Sequence, residues 1–471
     1  MQETDVAIVG AGPAGLAAAR EASQAGAKVV LIDQYLRPGG QYFRQLPPGF
    51  TGNSRPDWGE DEEKGSLLLQ GTTSERIELL TDTVAFSIYG DKTLALARQN
   101  HFFQLRAQKL ILATGAYERP VPFPGWTLPG VLSAGAMQTL VKIQRVLPGR
   151  RIVVAGAGPL LYVVAAMLVD AGADVGAVVD AARLRRGWRQ IPRLWRHWQP
   201  LLQGMEYLKQ LRDAGVPVLT GHTILRAEGE EKVQRAVIVE VDNEWRPVPG
   251  TERSYDLDAL CVSFGFLPST ELARLAGCNV VYRPDLGGFV PEHNQEMETS
   301  LAGVFVAGEV AGIGGAGIAM VQGRIAGIVA ARQLGHINAD AAEKQLASAR
   351  KELAGLETFR EAMNEMVGLR PAVWELMQDD TIVCRCQEVT KAELRDAARA
   401  STLSAREVKL RTWAGMGPCQ GRFCGDVILR IMAEEKGVAI DQIPAPRVRP
   451  PVHTVPLAAL AQELEESDEG E

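Results

Sequence analysis

Cys384 and Cys386 form a C-x-C pair. Cys419 and Cys424 form a C-x4-C pair in the run Gly417-Pro418-Cys419-Gln420-Gly421-Arg422-Phe423-Cys424-Gly425. Two close thiolate pairs separated by one small fold unit can surround a single metal centre. A [2Fe–2S] cluster takes four thiolates in this way. A structural zinc ion also takes four, although its sites more often use C-x2-C knuckles. Four unconnected buried thiols would have no reason to pair this tightly amid turn residues. A disulfide suits an oxidising compartment. The start, Met1-Gln2-Glu3-Thr4-Asp5, has no basic region of the kind a secretory signal uses, so the expected compartment is the cytoplasm. Cys261 and Cys278 lie in apolar or turn contexts and read as packing residues.

The elements ahead of the cysteines are those of a nucleotide-binding protein. Val6-Ala7-Ile8-Val9 reads as a buried parallel strand. It runs into Gly10-Ala11-Gly12-Pro13-Ala14-Gly15 and an alanine-rich helix over 16–26. A second strand over 28–32 ends at Asp33, followed by Gln34. Strand, G-x-G-x-x-G turn, helix, strand and acid stand in the register of a dinucleotide site. The glycines let backbone N–H groups approach a pyrophosphate, and the helix N-terminus adds its positive end. Asp33 is placed to accept from ribose hydroxyls.

A second unit of the same kind opens at residue 151. A strand leads into Gly156-Ala157-Gly158, a helix over 160–171 and another strand over 174–179 ending at Asp180. Leu161 stands where the third glycine would be, and a large residue there disturbs close helix–strand packing. The pattern predicts a Rossmann-like domain. Its candidate contacts for an adenine nucleotide, NAD or ATP, are Gly156, Gly158 and Asp180; the alternative is a retained scaffold with no ligand. Asp180 selects against a 2′-phosphate, so NADP fits worst. Further on, Trp188, Trp195 and Trp198 lie among arginines in the stretch 184–198. That stretch reads either as an amphipathic helix with a buried aromatic face or as a partner contact.

A chain of 471 residues has room for two or three cores. An apolar fraction of 46% is ordinary for a globular protein, and a net charge of −7 argues against nucleic acid as a partner. No apolar run is long enough to span a bilayer. Helical periodicity with many charges over 341–355 and 357–367 predicts a connector. Thr390 with Glu393 three residues on predicts a capped helix to about Ala400, and another helix is expected over 425–436. Both cysteine pairs are thus expected at loop–helix junctions.

Several segments resemble the two-dinucleotide-domain flavoprotein reductases. Arg37-Pro38-Gly39-Gly40-Gln41-Tyr42 resembles the loop that passes the flavin, and Ala113-Thr114-Gly115 the family's A-T-G turn. Gly303-Val304-Phe305-Val306-Ala307-Gly308-Glu309 resembles the strand that brings an acid to the ribityl chain, where the family usually carries Asp. A helix from about Gly314-Gly315 to 334 would face the flavin pyrimidine. The resemblance implies FAD in the first site. Its contacts would be Gly10, Gly12, Pro13, Ala14, Gly15, Asp33, Gln34, Gly40, Gln41, Ala113, Thr114, Gly115, Gly308, Glu309 and Gly315.

The block Cys384-Arg385-Cys386-Gln387-Glu388 with Gly415-Met416-Gly417-Pro418-Cys419 to Cys424 resembles a bacterioferritin-associated-ferredoxin-type [2Fe–2S] domain. The fusion resembles the A (α) subunits of opine oxidases, the B subunit of hydrogen cyanide synthase and the large subunits of dye-linked proline or hydroxyproline dehydrogenases. The expected fold is α/β. An FAD-binding Rossmann-like domain (1–120 and 257–335) holds an inserted second Rossmann-like domain (121–256). A helical connector (336–380), a small helical [2Fe–2S] domain (381–445) and a Pro-rich and acidic tail (446–471) follow, with mobility expected of its acidic end, 463–471.

The resemblance further implies a D-amino-acid-oxidase-like β subunit that oxidises the C–N bond of an opine or amino acid. It also implies a small third subunit, FMN at the subunit interface, and a quinone or dye-type acceptor that could bring the complex to a membrane surface. The chain itself would hold cofactors and supply no catalytic acid or base. Two other functions use the same residues: a self-contained NAD(P)H-dependent flavin reductase with the cluster as outlet, and a zinc-containing regulatory or assembly protein.

Overall fold

The computed structural model describes residues 1–46, 62–183 and 198–468. The arginine- and tryptophan-rich residues 184–197 lie outside the described residues. The chain forms two compact units, Met1–Tyr117 with Leu267–Glu357 and Arg447–Glu471, and Glu118–Phe266 with Thr358–Pro446.

The first unit is built on a sheet in the order Ile77–Leu80, Val29–Ile32, Gln2–Val9, His101–Leu112, Thr93–Arg98, Val84–Tyr89. Val304–Val306 also pairs with His101–Leu112. The strands around the glycine turn run parallel and are apolar on both faces, as doubly covered strands must be. Val6, Ile8, Leu31, Ile111 and Phe305 are fully or almost fully buried, each contributing roughly 1.5–3 kcal/mol. The helix Pro13–Gln24 lies backbone to backbone on the helix Gly315–Gln333. A Cβ on Gly323 would sit 2.0 Å from the carbonyl oxygen of Ala14, and one on Gly327 2.4 Å from that of Ala18. The alanine run of the first helix and these two glycines therefore form one small-residue interface.

Two segments go beyond the sequence expectation. The tail is packed ahead of its acidic end. Val452 is buried and donates its N–H to Phe86 O at 2.9 Å, and Ala459, in the helix Leu457–Asp468, packs with Phe86, Ala95, Ala97 and Phe102. Apolar residues thinly spaced among prolines cover the outer face of strands 84–102, a contact that periodicity does not reveal. The connector is one helix, Ala339–Val367. Gly355 does not break it, because its cost of roughly 1 kcal/mol is small beside the burial of Ala342, Leu346 and Ala349.

The second unit has a parallel sheet in the order Val218–Thr220, Asp174–Asp180, Arg151–Gly156, Ala259–Ser263, Val131–Ser133. An antiparallel sheet of His222–Glu228, Arg235–Glu240 and Arg253–Asp256 accompanies it. The apolar run at 257–265, expected to begin the return to the first domain, is instead a strand of this sheet, paired with Arg151–Gly156. Both sheets demand similar apolar strands, so the run alone did not choose between them.

The cysteine segment belongs to the same unit. Ile382–Cys384 pairs antiparallel with Val389–Thr390. The helices Lys391–Arg399, Ala405–Thr412 and Gly425–Lys436 follow. Thr390 and Glu393 form the expected capping box. The helix Ala405–Thr412 was not expected; its signal is Ser404 with Glu407 three residues on.

Candidate functional site

The first glycine turn is a junction of three backbones. Gly10 has φ +105°, and a Cβ there would sit 2.2 Å from the carbonyl oxygen of Ala113. A Cβ on Gly15 would meet Gly10 O at 1.8 Å, and one on Gly40 would meet Gly12 Cα at 2.7 Å. Gly308 joins the same cluster, its Cβ position lying 2.8 Å from the methyl of Ala14. In front of Gly12 the space is open, with nothing nearer than Gly40 Cα at 3.8 Å. The helix Pro13–Gln24 starts here with Pro at its first position, no side-chain cap and no acid in its first turn. Its leading N–H groups carry partial positive charge. A glycine-walled, uncapped helix end of this kind fits a diphosphate, so the residues fit FAD.

Asp33 is buried at the end of its strand. Its Oδ2 accepts from the N–H of Ala11 at 2.7 Å and Oδ1 from that of Tyr35 at 2.8 Å. Burial raises its carboxyl above the usual range, against the pull of those two donors. The acid thus ties the glycine turn to the second strand, and each oxygen keeps a lone pair for a hydroxyl. Gln34 is exposed, and Gln41 Nε2 donates to Tyr35 Oη at 3.0 Å. Thr114 Oγ1 donates to Ser269 O at 2.7 Å, while Ser269 N–H donates to Gly115 O at 2.9 Å. Gly308 N–H donates to the buried Gln322 Oε1 at 2.9 Å, a contact that sequence reading missed. Glu309 Oε1 accepts from Gly315 N–H at 2.7 Å. The extra methylene relative to Asp lets this carboxylate reach the N-terminus of Gly315–Gln333, where negative charge is favoured.

The four cysteines converge, though not as expected for the first pair. Cys384 and Cys386 lie in a hairpin between two short strands, while Cys424 is the N-cap of Gly425–Lys436. Among the described residues no three His, Cys, Asp or Glu side chains gather to hold a single metal ion. The sulfurs fall into two pairs, Cys384 with Cys424 and Cys386 with Cys419. The first pair is buried and the second half-buried. Cys424, and after it the N–H groups of Gly415, Gln387 and Cys386, hold the Cys384 thiol down to about 5, against burial. The same pairing pushes Cys424 up, so the inner pair shares a proton that a metal would replace. Burial raises Cys386, against the Cys419 N–H.

Gly417 is what lets the loops close. A Cβ there would sit 2.2 Å from Cys386 Cβ. Glu388 and Gln420, at φ +51° and +54°, bend the backbone beside each pair. Two thiolate pairs ringed by N–H donors fit a two-iron cluster.

Side chains far off in sequence fix this region to the second Rossmann-like sheet. Arg119 Nη1 lies 3.1 Å from Asp426 Oδ2, with side-chain exposures of 7% and 8%. Arg430 Nε lies 2.9 Å from the same oxygen, and its guanidinium stacks 4.4 Å over Trp374. The indole N–H of Trp126 donates to Ile382 O at 2.5 Å. No local motif announces these residues. Glu118, also missed, is half-buried, accepts from Gly135 N–H at 3.0 Å and has its carboxyl raised by burial.

The second glycine turn is differently equipped. A Cβ on Gly156 would meet Ser263 O at 1.8 Å, while Gly158 faces open space. Leu161 is fully buried. Asp180 has 0% exposure. Its Oδ2 accepts from Tyr162 Oη–H at 2.8 Å and Oδ1 from Ala182 N–H at 2.9 Å. Burial pushes its carboxyl up to about 6.

Residues 4–335 match the pyridine nucleotide-disulphide oxidoreductase family, and residues 382–434 match the BFD-like [2Fe–2S] binding domain. The opine oxidase A subunit of Rhizobium meliloti is 33% identical, over 97% of this chain and 87% of that protein. The Agrobacterium tumefaciens (strain Ach5) protein of the same name is 34% identical, over 97% and 91%. Hydrogen cyanide synthase subunit HcnB of Pseudomonas aeruginosa is 32% identical, over 88% and 90%. Among solved structures, L-proline dehydrogenase from P. horikoshii shares the fold, with a TM-score of 0.68 at 20% identity over 97% of this chain and 79% of that one. Among the described residues no helix is long and apolar enough to cross a membrane. The chain belongs to the pyridine nucleotide-disulphide oxidoreductase family and, sharing almost its whole length with the A subunits of opine oxidases, is an FAD-dependent oxidoreductase subunit with a BFD-like [2Fe–2S] domain.

Proposed function

We propose that this chain is the electron-transfer subunit of a hetero-oligomeric dehydrogenase acting on the C–N bond of an opine or amino acid of the octopine, nopaline, proline, hydroxyproline or glycine class. In this reading a D-amino-acid-oxidase-like partner removes two electrons and two protons from the C–N unit, and water hydrolyses the resulting imine. FAD accepts electrons in pairs and a [2Fe–2S] cluster singly, so together they divide a two-electron input into one-electron steps. The chain's residues hold and tune: Gly10, Gly12 and Gly15 open the backbone to a diphosphate, Asp33 anchors that turn, and the N–H groups around Cys384 stabilise thiolate charge.

The observation that carries this reading is the contrast between the two glycine turns. Both helix ends are uncapped and unobstructed, and the difference lies in the acid and the packing: Asp33 is bonded by two backbone N–H groups, whereas Asp180 is sealed by the Tyr162 hydroxyl and Leu161 replaces the third glycine. Electrons entering from a partner, rather than from NADH on the second domain, suit that contrast. The second domain then serves chiefly as the frame on which the cysteine region is mounted. An adenine nucleotide there would need Asp180 turned outward. FMN at the subunit interface and a small third subunit belong to the same reading.

The test is an anaerobic titration of the purified chain. Stoichiometric NADH is expected to leave the flavin band intact, and the co-expressed partner with its amino acid or opine to bleach it. Bleaching by NADH alone would establish the self-contained reductase instead.

A further inference from the structure

We propose that the face around Trp413 docks a one-electron carrier protein with an apolar centre and an acidic rim; the inference rests on the electron-transfer reading above. Trp413 ends the helix Ala405–Thr412 with φ +64° and is 66% exposed. A left-handed conformation at this position favours glycine, and a bulky residue there costs roughly 1–3 kcal/mol. An indole held out in water also forgoes its burial energy. Neither folding nor packing explains a tryptophan kept in that conformation at the surface.

Its surroundings extend the surface. Leu410, one helical turn back, and Met416 and Phe423 are exposed as well. Met416 N–H donates to Trp413 O at 3.0 Å, closing a turn. That turn rests on the cysteine loop: the Cβ direction of Gly415 lies 3.7 Å from both Gly421 Cα and Cys424 Sγ. The sulfur this turn approaches, that of Cys424, belongs to the buried pair, while Cys386 and Cys419 are half-buried.

Charge selects the partner. Residues 404–424 carry Arg406, Lys409, Arg411 and Arg422 against Glu407 alone, in a chain of net charge −7. The Glu407 carboxylate is already engaged by the Thr402 N–H at 2.8 Å and hydroxyl at 2.7 Å. A net-cationic stretch that carries these exposed apolar side chains is complementary to an acidic carrier and repels a basic one. In an encounter with such a carrier one electron leaves the reduced cluster and the oxidised carrier gains it, with no bond made or broken.

The variant Trp413→Gly removes the indole and relieves the backbone, so it is expected to melt no lower than the wild type. The probes are plastocyanin, an acidic copper protein with an apolar electron-entry face, basic cytochrome c, and dichlorophenolindophenol as a small acceptor. With the dithionite-reduced full chain, W413G is expected to slow plastocyanin reduction and weaken its Kd at least about tenfold. Dye reduction stays unchanged, and the wild-type plastocyanin rate falls steeply with salt. An unchanged plastocyanin rate in W413G, or cytochrome c reduced as fast as plastocyanin, overturns the proposal. So does loss in W413G of a dimer or of the partner-subunit complex by sedimentation, which would give this face to a second copy or to the partner. Failure of the wild type to reduce the dye would refute the electron-transfer reading itself.

Discussion

The buried ion pair behind the cysteines allows a quantitative test. Asp426 lies two residues after Cys424, and its Oδ2 receives Arg119 at 3.1 Å and Arg430 at 2.9 Å. Arg119 and Asp426 are almost wholly withdrawn from water, and Arg119 Nη2 also donates to Phe266 O at 3.2 Å. Asp426→Asn keeps the shape and removes the charge. The Arg119 guanidinium then stays buried without its carboxylate, which costs about 3–5 kcal/mol. At about 2–4 °C per kcal/mol for a folding unit of this size, the melting midpoint drops by about 6–20 °C. Thermal melts followed by circular dichroism and by the visible absorbance of the iron–sulfur centre read the loss. The triple variant Arg119→Met, Arg430→Met and Asp426→Leu fills the same space without charge, and is expected to recover most of the midpoint. A midpoint for Asp426→Asn within about 2 °C of the wild type would show that the pair does not brace the cysteine region.

Other substitutions separate the two cofactors. Gly417→Ala puts a methyl 2.2 Å from Cys386 Cβ, a clash that no rotamer relieves, so purified protein should lose iron and sulfide while keeping FAD. Equal iron content in the variant would contradict the loop geometry. Gly15→Ala sets a methyl 1.8 Å from Gly10 O and should do the reverse, lowering bound flavin with iron retained. Asp180 supplies a pH test. Its folded carboxyl titrates near about 6 against an ordinary 3.8, so the native state holds the proton more tightly than the unfolded chain. Its contribution is fully present below about pH 3.8 and is lost as pH rises through about 6, up to about 3 kcal/mol. The urea-midpoint difference between wild type and Asp180→Asn should therefore change between pH 4.5 and 7; a constant difference would place the titration elsewhere.

The parts legible in the sequence were those specified locally. Gly10 and Gly15 are needed because backbone meets backbone there, and a short motif records that demand. Thr390 and Glu393 spell a capping box within four residues, and it forms. The four cysteines are legible as types and spacing. Their cross-pairing, one from each motif, is not, because it depends on how the hairpin folds over the loop. The strand Ala259–Ser263 was assigned to the wrong sheet because an apolar run states that it is buried without stating against what. Arg119, Trp126 and Asp426 carry no local signal at all; their roles arise from partners between about 250 and 310 residues away. Tyr162 has the same character. Leu161 hinted that the second turn had changed, but only the geometry shows a tyrosine hydroxyl on the acid that the motif had offered to a ribose.

A reductive titration of the purified chain, followed together by visible absorbance and electron paramagnetic resonance, tests the central claim most directly. The account predicts uptake of about three electrons per chain, two with loss of the flavin band and one with a signal from a reduced two-iron centre. Uptake of about two electrons with zinc in place of iron would contradict it.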